Sequence, residues 1–162
     1  MLETLAVVWT ARLAVFCYLA SLLFQTASRK PNLARALWTA GFVIFAIHLS
    51  AAFQFVHNWS HTDAWNHTAE QTEKLTGWNW GGGIWFNYLF ALLWGYDVLQ
   101  SFQSNSRNWK GVWLIHSYLG FIVLNATVVF GIWWWKLVAA LYIPILIVLG
   151  RRRTPPKTES PV

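Results

Sequence analysis

Long apolar segments with almost no charge constrain this chain more than any other feature. Each is close to the ~20 residues that an α-helix needs to cross ~30 Å of hydrocarbon. A soluble domain would carry about a quarter charged residues, whereas this chain has 11%. The sequence therefore predicts an all-α integral membrane protein, a five-transmembrane-helix bundle in one domain over residues 1–150. The predicted spans are Leu5–Phe24, Arg35–Val56, Gly83–Phe102, Val112–Ile132 and Trp134–Gly150.

The basic residues predict the topology of these spans. Nine fall on one side of a five-span bundle: Arg29, Lys30, Arg35, Arg107, Lys110, Arg151, Arg152, Arg153 and Lys157. Only Lys74 and Lys136 fall on the other side. By the positive-inside rule the N-terminus is outside and the C-terminus cytoplasmic. We expect a multi-pass protein of the bacterial cytoplasmic membrane, with a disordered cytoplasmic tail over residues 151–162.

The formal charge of +6 does not predict nucleic-acid binding. The basic residues flank apolar segments rather than sharing one polar surface, and there they act as topology determinants. The expected partners are the lipid bilayer and other membrane protein subunits or further copies of the chain.

The loop between the second and third spans gathers most of the polar chemistry. Three of the five histidines lie in it: His57, His61 and His67. Ser60 or Thr62 can cap a helix that starts near Asp63, and Gly77 is a natural terminator. We therefore expect a short helix of about three turns that lies along the outer membrane surface.

The spacing of histidines and carboxylates in this loop predicts a metal site. Asp63, His67 and Glu70 recur at helical intervals and share one face. His57 and His61 are four residues apart, so they share a face if the second span continues past the interface. The predicted ligands for copper, iron or zinc are therefore the three histidines with Asp63 or Glu70. The alternative is a polar interfacial helix whose histidines and tryptophans anchor it at the headgroups.

Polar residues inside the spans form two layers when their depth is counted at ~1.5 Å per residue. Arg12 and His48 come out about 10–12 Å below the outer boundary. Asp97 and His116 come out about 20–24 Å down, where they can form a buried ion pair or hydrogen bond. The alternative is that these groups only hydrogen-bond between helices and stabilise the packing.

Three of the buried residues are candidates for binding a cofactor: His48, His116 and Arg12. The two histidines differ by about 12 Å in depth, so they cannot ligate one haem. Two haems or chlorophyll-type pigments, each ligated by one histidine, are the alternative. Arg12 could then bind a carboxylate group of the cofactor. His48 and His57 are nine residues apart, close to opposite sides of one helix. We therefore expect His48 in the bundle interior, away from the outer histidines.

These patterns leave three functions open. The leading hypothesis is a small membrane metalloprotein with a redox or metal-handling role. The second is a non-catalytic subunit or scaffold of a larger membrane complex that holds a haem or a pigment. The third is a small transporter or channel that uses Arg12, His48, Asn87 and Asn125. No pattern supports a hydrolase, and no residue is assigned a catalytic role.

Overall fold

The computed structural model describes residues 2–27, 30–103 and 109–151. These residues form six α-helices and one π-helical turn, with no strand among them. The helices are α1 (Leu2–Ala27), α2 (Pro31–Phe55), α3 (His61–Thr76), α4 (Gly83–Phe102), α5 (Trp109–Leu124) and α6 (Trp133–Arg151). The prediction of an all-α protein is confirmed.

Four of the predicted spans are long and apolar enough to cross a membrane: Glu3–Ala27, Pro31–Phe55, Gly111–Val129 and Trp133–Arg151. The chain is therefore a multi-pass membrane protein in which apolar helices face a lipid bilayer. The predicted third span, α4, is not in this set. Asn87, Asp97 and Gln100 lower its mean hydropathy.

Helix α4 supplies the centre of the core. Its buried face carries Phe90, Trp94 and Val98, which pack against Tyr18 of α1 and Trp38 of α2. Leu119 and Val123 of α5 complete the cluster. Asp97 lies on the same buried face of α4.

Close contact between α2 and α4 depends on Gly41. A Cβ atom there would lie 2.9 Å from Cζ2 of Trp94 and 3.1 Å from Cβ of Cys17. Small residues let membrane helices approach closely and gain van der Waals contact in place of a hydrophobic driving force. The missing side chain at Gly41 therefore leaves the space in which the Trp94 ring packs.

Helix α3 begins and ends near the residues that the sequence predicts, but it is longer than the expected three turns. The Ser60 side chain accepts a hydrogen bond from the backbone N–H of Asp63, and Gly77 ends the helix with a φ of 76°. The helix has 16 residues, which is about four turns rather than three. Its capping satisfies backbone groups that would otherwise be left without partners.

Helix α5 ends in a π-helical turn, Asn125–Val129, where the Phe130 N–H bonds the Asn125 carbonyl at 3.0 Å. The chain then leaves the helical conformation over residues 130–132, close to the predicted boundary between the fourth and fifth spans. A Cβ at Gly131 would lie 2.0 Å from the Thr127 carbonyl oxygen, so only glycine fits. Helix α6 ends at Arg151, and the predicted disorder of residues 152–162 lies outside the described residues.

Candidate functional site

A strained turn after α2 decides where His57 lies. Helix α2 ends at Phe55, and the next residues include Asn58 and Trp59, whose φ angles are 48° and 58°. Positive φ in a non-glycine residue costs of order 1–3 kcal/mol and persists only where the surroundings hold it. Here the Trp59 N–H donates to the Phe53 carbonyl at 2.9 Å. The condition under which His57 and His61 would share a face, a second helix that continues past the interface, is therefore not met.

The turn brings His57 against His67 of α3. Their ring centroids lie 5.3 Å apart. Nδ1 of His57 is buried and has no hydrogen-bond partner in the described part of the chain. Nε2 of His67 lies 3.3 Å from the Gln71 amide nitrogen, from which it accepts a hydrogen bond. The pair thus places two imidazole rings side by side at the end of the bundle that carries α3.

The electrostatics of the pair favour the neutral imidazole at His57. Burial lowers the pKa of His57 below its usual value, and the neighbouring His67 lowers it further. The carboxylate of Asp63 opposes these effects and raises the pKa. A neutral imidazole carries the lone pair that a metal ion needs.

His61 does not join this pair. Its Nδ1 lies 3.0 Å from the hydroxyl oxygen of Tyr88, and its ring packs against Trp85. Since each residue turns an α-helix by about 100°, His61 and His67 point about 120° apart around α3. The predicted sharing of one face by His57 and His61 fails because the chain turns between them.

The predicted metal site of His57, His61, His67 with Asp63 or Glu70 is therefore only partly brought together. Within residues 2–27, 30–103 and 109–151, no group of three or more histidine, cysteine, aspartate or glutamate side chains is placed to hold a metal ion. Asp63 acts on His57 through its charge alone, and both predicted carboxylates are exposed. Two imidazoles remain together out of the five expected ligands.

His48 lies deeper, at the contact between α2 and α1. Its Nδ1 is 3.0 Å from the Val7 carbonyl oxygen and 3.4 Å from the Thr10 hydroxyl oxygen. A carbonyl oxygen can only accept, so Nδ1 donates and the neutral ring carries its lone pair on Nε2. A backbone carbonyl that orients a histidine in this way is typical of metal-ligating and other functional imidazoles.

His48 also stands where two cavities meet. One, of about 250 Å³, lies beneath the outer loop and is lined by His57, His67 and Tyr88. The other, of about 220 Å³, lies inside the bundle among α1, α2, α4 and α5. His48, Leu49 and Asn87 line both cavities. The expected separation of His48 from the outer histidines is therefore wrong, because His57 is not on the α2 helix.

Trp94 lines the inner cavity and was not singled out by the sequence. It is 1% exposed, and its indole N–H has no acceptor among the described residues. An unpaired buried donor costs about 1–3 kcal/mol. A tryptophan inside an apolar segment is indistinguishable from core packing in the sequence alone, so no signal could have identified it.

Arg12 lies away from His48, with its guanidinium over the rings of Trp9 at 5.1 Å and Trp134 at 5.8 Å. Asn125 donates to the Phe121 carbonyl at 2.9 Å. Neither residue lines the inner cavity with His48 and Asn87. The polar layer predicted from depth therefore divides between different faces of the bundle.

The deeper pair is brought together. Nε2 of His116 lies 3.5 Å from Oδ2 of Asp97, whose side chain is 3% exposed. The His116 ring stacks on Trp38 with centroids 5.0 Å apart. Asp97 thus contacts Nε2 of His116, the ring nitrogen that would have to bind the iron if this histidine were an axial haem ligand.

No family model, no curated protein and no solved structure matches this chain.

The chemistry of the site is therefore inferred from the side chains that the structure places there. The outer part offers two adjacent imidazoles, one with a buried unpaired nitrogen. The inner part offers an oriented imidazole and an amide on the wall of a cavity. The first set suits a metal ion or a proton, and the second suits a small polar-substituted ligand.

Proposed function

We propose that this chain is a five-span protein of the bacterial cytoplasmic membrane that handles a metal ion at its outer face. The observation that carries the second part is the His57–His67 pair, with its buried and unpaired Nδ1.

Contacts at both ends of α2 support α4 as a fifth span. At one end the rings of Phe53 and Tyr88 lie 6.4 Å apart. At the other end Arg35 donates to the Ser101 carbonyl at 3.3 Å. Helix α4 therefore runs alongside the whole of α2, which is itself long and apolar enough to cross. Its 20 residues extend about 30 Å, the thickness of the hydrocarbon core.

Five crossings place Arg35 and Arg151 at the same end of the bundle and Lys74 at the other. The positive-inside rule then makes the Arg35 end cytoplasmic. This puts α3 and the histidine pair on the outer side, where α3 lies along the surface as an interfacial helix. Arg29, Arg107, Arg152, Arg153 and Lys157, which supported the same topology in the sequence, lie outside the described residues.

Two imidazoles with open coordination positions suit a metal that arrives and leaves. Imidazole is a good ligand for copper, zinc and iron. A two-histidine donor set leaves positions for water or for a ligand on a partner, whereas a structural zinc site closes all four. The lowered pKa of His57 keeps its ring neutral and ready to ligate. Nε2 of His67, which accepts a hydrogen bond from the Gln71 amide, would lose that bond and ligate the ion instead.

Elemental analysis tests the metal proposal. The protein is purified in mild detergent without added metal, dialysed against Cu²⁺ or Zn²⁺, and analysed for metal per chain. We expect bound metal in the wild type and its loss in the double variant His57→Ala/His67→Ala. The matched control is His61→Ala, because this histidine lies in the same loop but contacts Tyr88 and Trp85.

Two results would contradict the metal proposal. The first is equal loss of metal in His61→Ala, which would indicate binding by the loop in general. The second is full retention in the double variant. A folded helical spectrum for each variant shows that loss of metal is not loss of fold.

A subunit that holds a haem or a chlorophyll-type pigment is less well supported. The cavity beside His48 has a volume of about 220 Å³, while a cavity of about 150 Å³ holds a single benzene ring. A macrocycle of several rings needs much more room. At the other predicted ligand, Nε2 of His116 faces Asp97, so this nitrogen is not free to bind a macrocycle in this arrangement.

A further inference from the structure

We propose that the inner cavity binds a small hydroxylated aromatic ring, such as the headgroup of a membrane quinol. The cavity lies inside the bundle, between α1, α2, α4 and the end of α5. The proposal is independent of the metal site, because it concerns different residues and a different ligand.

The size of the cavity fits one substituted ring. Its volume is about 220 Å³, and an apolar cavity of about 150 Å³ holds benzene. A six-membered ring with hydroxyl and methyl substituents therefore fits, and a fused or macrocyclic system does not.

Aromatic side chains form much of the wall. Tyr18, Phe45, Phe90 and Trp94 all line the cavity. Their rings pack on one another, as at Phe45–Phe90 with centroids 4.9 Å apart and Phe90–Trp94 at 5.3 Å. Aromatic rings prefer aromatic neighbours in offset or edge-on arrangements. A flat aromatic ligand can extend this cluster.

The polar groups on the wall indicate a hydroxyl on that ring. His48 donates from Nδ1 to Val7, so Nε2 is left as an acceptor and needs a donor such as a phenolic O–H. The Asn87 amide, which also lines the cavity, can both donate and accept. A phenolic oxygen, which donates and accepts, can therefore bond both His48 and Asn87.

The inner cavity shares part of its wall with the second cavity, because His48, Leu49 and Asn87 line both. Ala126, in the π-helical turn, also lines the inner cavity. Such turns replace one regular helical turn and are frequent at functional sites. We expect the ligand to enter on the side of the shared residues.

Calorimetric titration with 2,3,5-trimethylphenol tests the proposal on the full chain in detergent. Its methyl ether, 2,3,5-trimethylanisole, is the control ligand because it keeps the ring and loses the O–H donor. Three variants are compared with the wild type: His48→Phe removes the acceptor, Ala126→Leu fills the cavity, and Ala40→Leu is a matched control on the exposed side of α2.

We expect saturable binding of the phenol to the wild type and to Ala40→Leu. Loss of one hydrogen bond in His48→Phe or in the ether should weaken binding about tenfold, and Ala126→Leu should abolish it. Equal binding of phenol and ether, or an Ala126→Leu variant that binds like wild type, overturns the proposal. So does a cavity that holds only water and takes neither ligand.

Discussion

Nδ1 of His48 donates a hydrogen bond to the Val7 carbonyl oxygen, 3.0 Å away, across the contact between α2 and α1. This single contact orients the ring at the junction of the two cavities. The histidine pair at the outer end and the aromatic cavity inside the bundle are therefore neighbours. A ligand in one cavity lies next to residues that line the other.

The five-span topology predicts opposite membrane sides for the two ends of α4. On a Cys17→Ala background, Lys74→Cys should react with a membrane-impermeant maleimide applied to the outside of intact spheroplasts. Gln103→Cys should react only after permeabilisation. Both positions are exposed in the structure, so failure to react reports the membrane side. Labelling of both cysteines from the same side would show that α4 does not cross.

The Asp97–His116 pair should contribute to stability through coupling. Removing one partner of a buried hydrogen-bonded pair costs about 1–3 kcal/mol, because the partner that stays loses one of its polar contacts. Asp97→Leu and His116→Leu should therefore each lower the thermal midpoint in detergent. The thermal midpoint of the double variant should fall by less than the sum of the two single-variant decreases, and a double-mutant cycle measures this difference. Strict additivity of the two effects would show that the 3.5 Å contact carries no coupling.

Gly41 should tolerate no side chain. The added methyl of Gly41→Ala would lie 2.9 Å from Cζ2 of Trp94, and overpacking costs about 1–3 kcal/mol. We expect a lower thermal midpoint by circular dichroism. The control is Gly111→Ala, where a Cβ meets nothing within 4 Å, so stability should stay unchanged or rise slightly. Equal effects at both positions would mean that the Trp94 contact is not tight.

The pH dependence of stability should contain a contribution from His57. Its pKa in the folded chain is lowered from 6.5 by burial and by His67, so folding favours the neutral ring. The contribution is fully present above pH 6.5 and is lost as the pH falls through the lowered pKa. Thermal midpoints measured between pH 8 and pH 5 should therefore fall more in the wild type than in His57→Gln.

His61→Gln provides the comparison for this pH profile. His61 contacts Tyr88 rather than His67, so its substitution should leave the acid-dependent loss in place. A wild-type profile that is identical to that of His57→Gln would contradict the assignment of the transition to His57.

The ends of α3 could be predicted from the sequence because they depend on neighbouring residues. Ser60 caps the helix through the Asp63 N–H, and Gly77 ends it in the left-handed region. Both are local backbone requirements that particular residue types meet. The membrane-spanning character followed in the same way, from the apolar length of each segment.

The arrangement of the histidines could not be predicted in this way. Helical spacing placed His57 with His61, but two residues with positive φ, Asn58 and Trp59, turn the chain between them. Asparagine adopts positive φ more readily than most residues, but tryptophan does not, so the residue types did not predict two such residues in a row. Depth counting paired Arg12 with His48, yet depth says nothing of direction around the helix axis. Arg12 faces Trp9 and Trp134 instead.

The sequence by itself therefore determined which segments are helical, how four of them meet the requirements of a membrane, and where α3 starts and stops. These properties follow from hydrophobicity and backbone chemistry within a few residues. Only the tertiary structure decided that His57 meets His67, that His48 lines two cavities, and that the Trp94 indole lacks an acceptor among the described residues. Such relationships depend on helix rotation and packing between distant segments, which local patterns do not specify.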